Sequence, residues 1–392
     1  MYSHSGLLDL YRAEESTWVD RVIATRVDGS ICAWISTFHP DKLPCQIGVG
    51  FMNGSYNLCQ EFVYEDNTAG VLRLPRVFSI RREYAEKILV EVEAPSMIRE
   101  KTDIPDNPLD LGPFILMDFI DGVSLFDVFG DRQSRLLKDD IMLQLYQINF
   151  DHISSFPTRK TGARIPIRPL TLKAHGIHHE GGVDTFGDRS EDFNTVTEYL
   201  EYSLRKDEHQ LKSQVNSAIG RFSVREAYAT LDILRSLMRD LVHSHCDRGP
   251  YKLIYDDFGL GNMIVKSRDD PTIVGVIDFE WVYAGPAQVF ASGPWWLLGE
   301  PPTNYGWNDT EEREPPHMAS RYFKYLEIFK TREEGKSIST LMDWSEASGA
   351  MWLHMILAGC FIDSLSFPCE QLKRHRGMKA WMDTTVKLEN TE

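Results

Sequence analysis

The sequence predicts an α+β chain in two parts: a small antiparallel sheet, then a larger, mainly helical region. Three observations carry this. From Cys45 to Pro75 apolar and polar residues alternate through "CQIGVGFMNGSYNLCQEFVYEDNTAGVLRLP", the two-residue period of half-buried strands. Beyond about residue 122 the apolar spacing becomes that of helices. Within that helical part, "NMIVK" and "TIVGVID" read as a strand pair joined by the turn "SRDDP". The expected division is residues 1–118 as the N-terminal part and 119–392 as the C-terminal part.

Taken in order, residues 1 to about 40 read as a helical lead-in, with Trp18 and Trp34 as anchors. "NLCQEFVY" and "GVLRLP" read as strands, with "EDNTA" as the turn between them. "SIRREYAEKILVEVEAPSMIREKT" reads as a helix interrupted at Pro95, which lacks a backbone donor and clashes with the preceding turn. "GPFILMDFIDG" is an apolar strand ending in a short acidic linker. "SVREAYATLDILRSLMRDLVHSH" is expected to open on a capping box of Ser223 and Glu226. It carries Ile233, Leu234, Leu237, Met238 and Leu241 on one face and stops at Gly249-Pro250. "GAMWLHMILAGCFI" (Gly349 to Ile362) is too short to span a bilayer and reads as a buried core helix.

Bulk properties exclude several function classes. Hydrophobic residues make up 42% and charged residues 26% of 392 positions, the composition of a globular protein with room for a sizeable core. The formal net charge is −16 with no Lys/Arg-rich run, which argues against nucleic acid as a partner and favours a cationic small molecule. The six cysteines are scattered, with no CxxC pair, as expected of free thiols in a reducing compartment. The first residues hold no apolar signal core, so a cytoplasmic location without membrane contact is expected. The sequence does not speak to oligomeric state.

One stretch concentrates chemistry. In "LIYDDFGLGNMIV" (Leu253 to Val265), adjacent carboxylates and a carboxamide sit in a glycine-bearing loop between two apolar runs. A plain turn uses the same residue types. The spacing Asp-x4-Asn occurs once in the chain, as Asp257 and Asn262, and a further Asp278 ends the second strand of the following pair.

With "YDDFGLGN", "VGVIDFEW", "GSYN", "VLRLPR" and "GPFILMDFIDGVSL" spread over roughly residues 45 to 300, the chain resembles the aminoglycoside phosphotransferase family, most closely its fungal members. That resemblance implies a bilobal protein-kinase-like fold, with a sheet-rich nucleotide-binding lobe and a helical lobe carrying the catalytic loop. It also implies transfer of the γ-phosphate of ATP or GTP to a hydroxyl of a small molecule. Asp257 would be the catalytic base, and Asn262 and Asp278 the hard oxygen ligands of Mg²⁺.

The same resemblance assigns nucleotide contacts in the first part. Gly54 and Ser55 would lie in the loop over the phosphates. Arg73 would be the phosphate-contacting cation and Glu91 its acidic partner, with Glu93 as the alternative. Met117, Asp118 and Ile120 would form the hinge against adenine. Tyr255 stands where many members have His, and is expected to brace the loop by packing and a hydrogen bond. Asp256 is expected to face solvent. Glu280 replaces the Gly of the protein-kinase D-F-G, and no A-P-E follows, which disfavours a protein kinase.

"HGIHH" (His175, His178, His179) reads as part of a polar, mobile insertion rather than a metal site, since no Cys or carboxylate set completes it. Trp295 and Trp296 read as packing residues, and residues 155 to 220 as part of a substrate wall. The competing reading from another class is a catalytically weak, nucleotide-binding pseudokinase that regulates or scaffolds.

Overall fold

The computed structural model describes residues 4–48, 50–54, 57–76, 109, 111, 114–129, 137–156, 167–214, 217–218, 220–292, 307, 317–333, 335, 337–359, 362–377 and 381. The chain divides into two compact units, Met1–Gly122 with Pro157–Ile165, and Val123–Phe156 with Pro166–Glu392.

The first unit is an antiparallel sheet covered by two helices, α1 (His4–Val27) and α2 (Ser30–Ser36). Strands β1 (Cys45–Ile47), β3 (Asn57–Tyr64), β4 (Ala69–Pro75) and β5 (Ile115–Asp118) lie in the order β1-β3-β4-β5, and β2 (Met52–Asn53) pairs with β3. β3 coincides with the alternating run read from sequence. Its even-numbered residues Leu58, Phe62 and Tyr64 pack with Leu72 and Leu74 of β4 against Trp18, Trp34 and Ile35. Each such fully buried side chain contributes about 1.5–3 kcal/mol of transfer free energy. Trp18 also donates its indole N–H to the Leu111 carbonyl at 2.9 Å, so the helical lead-in is tied to the strand layer. The β3–β4 hairpin turns through Asn67, which has a positive φ of 67°, a conformation Asn tolerates.

The second unit opens with β6 (Val123–Ser124), α3 (Leu125–Phe129), α4 (Leu137–Tyr146), β7 (Asn149–Phe150) and β8 (Ser154–Ser155). Helices α5 (Leu172–Gly181), α6 (Val196–Ser213) and α7 (Gly220–Leu237) follow. Next come β9 (Tyr251–Tyr255), β10 (Met263–Val265), β11 (Ile273–Val276), β12 (Val282–Pro286) and the short α8 (Ala287–Phe290). Four helices finish the described chain: α9 (His317–Arg332), α10 (Ser337–Ser348), α11 (Ala350–Ala358) and α12 (Phe367–Arg376). β11, β10 and β6 form one antiparallel sheet; β7, β9, β12 and β8 form another. The class is therefore α+β, with a small antiparallel-sheet unit and a larger, mainly helical one.

Three expectations are corrected. The capping box is not an N-terminus: α7 begins at Gly220, whose φ of 79° sets the turn into the helix, and Ser223 and Glu226 lie inside it. The exposed Arg221 and Phe222 extend the helix without adding to its apolar face. At the other end α7 stops at Leu237 and tightens into a single 3₁₀ turn, Met238–Leu241, well before Gly249-Pro250. The histidines His175, His178 and His179 lie on α5, an ordered helix with its N-terminus capped by Thr171, rather than in a polar insertion. His175 is buried, with its ring 4.9 Å from that of Trp281.

Helix α11 is the buried core helix expected from "GAMWLHMILAGCFI". Its one polar residue, His354, contacts Gln288 at 2.8 Å through Nε2 and Ser292 through Nδ1. Burial drives its pKa down to about 3, so it is a neutral, hydrogen-bonded core histidine. Among the described residues no helix is long and apolar enough to cross a membrane.

Candidate active site

The loop between β9 and β10 is held from both sides. β9 pairs antiparallel with β12, with Tyr255 opposite Val282, and Asp256 N–H donates to the Trp281 carbonyl at 3.2 Å. β10 pairs with β11, and Ile277 N–H donates to the Asn262 carbonyl at 2.9 Å. The chain positions around 256, 262 and 278 are therefore fixed by backbone bonds at the ends of two strand pairs.

Inside the loop, Gly259 N–H returns to the Asp257 carbonyl at 2.8 Å and Asn262 N–H to the Gly259 carbonyl at 3.1 Å. The Asn262 side chain donates Nδ2–H to the Asp257 carbonyl at 2.7 Å. That bond sets which way round the amide lies, and leaves Oδ1 as the atom offered to a ligand. Asp278 adopts φ 73°, ψ 50°, left-handed geometry that a short polar side chain can occupy. It turns the chain sharply from β11 into β12.

Tyr255 is the brace that the sequence suggested. Its hydroxyl lies 2.6 Å from both the Ile277 and the Asp278 carbonyl oxygens, and one donated proton serves the pair. Its ring stacks on Phe258 at 4.9 Å and on Phe279 at 5.3 Å. Reaching two carbonyls while its ring lies between two phenyl rings, Tyr255 acts as a strut for the loop.

The two adjacent carboxylates have opposite roles. Asp256 does not face solvent, contrary to expectation. It accepts the Tyr283 hydroxyl at 3.0 Å and the Leu172 N–H of α5 at 3.2 Å. Burial raises its pKa to about 6, with these two bonds pulling the other way. Asp257 shares neither of these partners. Burial, then the negative charges of Asp278, Glu280 and Asp256, push its pKa up to about 7. The site thus gathers carboxylates whose negative charges bear on Asp257, with the Asn262 side chain pulling the other way. Such crowding, with two oxygen ligands at fixed strand ends, fits a divalent cation that shares further oxygens with a ligand. Among the described residues no set of three or more His, Cys, Asp or Glu side chains closes a metal site by itself.

A cavity of about 150 Å³ adjoins the loop, lined by Asp256, Tyr255, Phe258 and Leu172 and closed by Ser292 and His354. Asp257, Asn262 and Asp278 are not among its lining residues.

The nucleotide residues inferred from the resemblance fall in the first unit. Gly54 is exposed in the turn joining β2 and β3, its N–H bonded to the Asn57 carbonyl at 3.0 Å. Arg73 lies in the middle of β4 opposite Cys59 and Ile115, and is only 4% exposed. Strand alternation puts it on the face opposite Leu72 and Leu74, away from the apolar core. Met117 and Asp118 end β5 opposite Val71 and Gly70, and Ile120 follows half-buried in the connection. Ser55, Glu91, Glu93, Pro95, Trp295 and Trp296 lie outside the described residues.

Sequence reasoning missed Tyr283 and Leu172, the partners of Asp256. They lie 27 and 84 positions from it, and no local pattern links them.

No protein-family model matches the sequence, and no curated protein matches it. Solved structures do resemble it. An ethanolamine kinase of Plasmodium vivax is 15% identical with a TM-score of 0.39, covering 89% of this chain and 83% of that one. The apoenzyme of a macrolide 2'-phosphotransferase from Brachybacterium faecium is 13% identical with a TM-score of 0.41, over 84% and 92%. A putative fructosamine-3-kinase from Thermobifida fusca is 10% identical with a TM-score of 0.42, over 91% and 98%. Likeness at this level carries no functional weight.

Proposed function

We propose that the chain is an ATP- or GTP-dependent phosphotransferase that moves the γ-phosphate to a hydroxyl of a small molecule, in the manner of the fungal aminoglycoside phosphotransferases its motifs resemble. The observation that carries this reading is the loop itself. Asn262 bonds back to the Asp257 carbonyl, and its own carbonyl accepts from Ile277, next to Asp278. These bonds draw the backbone at 257, 262 and 277 together, which supports the reading.

In this reading Asn262 Oδ1 and the Asp278 carboxylate would hold Mg²⁺. Held there, it would supply positive charge to offset that of the nucleotide phosphates. Asp257 orients the acceptor hydroxyl and takes its proton as the oxygen attacks. A carboxyl near pKa 7 is a stronger base than an ordinary Asp. Tyr255 holds the Asp278 turn in register. Asp256 anchors the loop to α5 and takes no part in proton transfer. Arg73 contacts the phosphates with Glu91 as its partner. Gly54 and Ser55 cover the phosphates, and Met117, Asp118 and Ile120 meet the base. The acidic balance of the chain suits a cationic acceptor. The proposed division of labour follows residues 1–118 for nucleotide and 119–392 for catalysis and acceptor.

The test is a transfer screen with γ-labelled nucleotide against pooled amino alcohols, sugars and aminoglycosides. Asp257→Ala should lower turnover on the acceptor found by about 10²–10⁴-fold, with Mg·ATP affinity nearly unchanged. Asp256→Ala should cost far less turnover. A wild-type protein that binds Mg·ATP but transfers to nothing would favour the pseudokinase reading instead.

A further inference from the structure

A second cavity of about 360 Å³ lies in the helical unit, lined by Arg168, Thr185, Tyr202, Arg205, Lys206 and His209 together with Asp184 and Asp188. Residues 202, 205, 206 and 209 are spaced i, i+3, i+4 and i+7, so one face of α6 forms a wall. None of these residues takes part in the site described above.

The polar atoms of this cavity are unusual. Lys206 is 3% exposed and its Nζ has no hydrogen-bond acceptor among the described residues; it lies 3.1 Å over the Tyr202 ring. Thr185 is 5% exposed and its hydroxyl has no hydrogen-bond partner among the described residues. Arg168 Nε is buried and has none either, while its Nη1 donates to the Asp188 carbonyl at 3.1 Å and its guanidinium stacks on Phe193. Buried donors are almost always satisfied in folded proteins, and a buried ammonium is costly without an anion.

The nearby carboxylates do not hydrogen-bond these three atoms, although the charge of Asp188 acts on Arg168 and that of Asp207 on Lys206. Asp184 and Asp188 are exposed and accept the backbone N–H groups of Phe186 and Ser190, at 2.9 Å each. Asp207 turns the other way and pairs with Lys173 at 2.6 Å. Burial, then the charges of Lys173 and Arg189, drive the Lys206 pKa well down. In a chain of net charge −16, Lys206 is thus a buried amine whose Nζ has no hydrogen-bond acceptor among the described residues.

We propose that this cavity is a binding site for a small oxyanion group, a phosphate or carboxylate borne by a metabolite, held by Lys206, Arg168 and Thr185 with Arg205 at the mouth. Guanidinium, ammonium and hydroxyl donors lining one cavity suit such a group. The volume admits a small molecule and not only the bare ion.

The test is calorimetric titration of the full chain, without nucleotide, by inorganic phosphate and separately by citrate, at constant ionic strength with chloride as control. Wild type should bind at least one of the two anions at one site, with no response to chloride. Lys206→Met should weaken that binding at least about tenfold, and Arg205→Gln, an exposed change that leaves the fold alone, by about threefold. Asp257→Asn should leave it unchanged, which separates this site from the phosphotransferase reading. Phosphate binding alone would mark a phosphoryl ligand; citrate binding alone would mark a carboxylate. No binding of either anion to wild type, or equal binding in Lys206→Met and Arg205→Gln, would overturn the proposal.

Discussion

The helical unit concentrates like charge in two places, by opposite means. At the β9–β10 loop, carboxylates crowd together because backbone hydrogen bonds at strand ends hold Asp257, Asn262 and Asp278 in place. Around α6, cations crowd together because a helix face and the segment from 168 to 189 pack against each other. In the first place the repulsion falls on a carboxylate that can take up a proton or a metal. In the second it falls on an ammonium, Lys206, whose neighbour Asp207 is already engaged by Lys173. The first would suit a ligand that brings a cation and the second a ligand that brings an anion, so the two predict different ligands.

The difference also explains what could be read beforehand. The carboxylate loop was legible because its residues lie within a short span, in strand–loop–strand context, at a spacing that occurs once. Strand β3 was legible from alternation alone. The cation cavity was not legible, because His, Asp and Arg scattered over residues 155 to 220 look like any solvated segment until α5 and α6 bury them. The inward-turned Asp256 was missed for the same reason. Its partners Tyr283 and Leu172 are brought in by tertiary pairing, and adjacent aspartates in a turn ordinarily face water. The start of α7 was misread because a Ser-x-x-Glu pattern inside a helix looks the same as one at its end.

The largest loss of stability is expected on α5. Lys173→Met removes the one partner of a buried pair and leaves Asp207 enclosed, so unfolding by denaturant should show a loss of about 3–5 kcal/mol. Lys206→Met, at the adjacent residue to Asp207, should cost little or even stabilise, because it removes an ammonium that has no acceptor. Equal losses in the two variants would contradict this contrast.

Next in size is the metal at the other site. Asp278→Ala should weaken Mg²⁺-dependent ATP binding by about a hundredfold, an effect on the order of 2.7 kcal/mol. Calorimetry with and without Mg²⁺ reads this directly. Unchanged affinity would remove Asp278 from the ligand set.

A smaller effect concerns stability and pH. Burial and neighbouring carboxylates raise Asp257 to about 7. Between the ordinary carboxylate range and that value, the folded chain holds a proton that the unfolded chain has released. Stability therefore falls as pH rises through this window. Asp257→Asn removes the titration. Without ligand, it should gain about 1–2 kcal/mol relative to wild type on going from about pH 5 to about pH 8, the partial solvent contact of the side chain keeping the gain below the full shift. A constant difference across that range would show that Asp257 is not perturbed.

The most direct measurement of the central claim, that the loop is a carboxylate cluster built to receive a cation-bound nucleotide, is the proton balance of Mg·ATP binding. At pH 7 the free protein should carry about half a proton on Asp257. Binding should release it, because the incoming cation favours the ionised carboxylate. Calorimetric titrations of Mg·ATP at pH 7, in two buffers of different ionisation enthalpy, give the number of protons released. The account predicts release of a substantial fraction of a proton by wild type and close to none by Asp257→Asn, with both binding Mg·ATP. The same proton count in the two proteins, or binding that is indifferent to Mg²⁺, would contradict it.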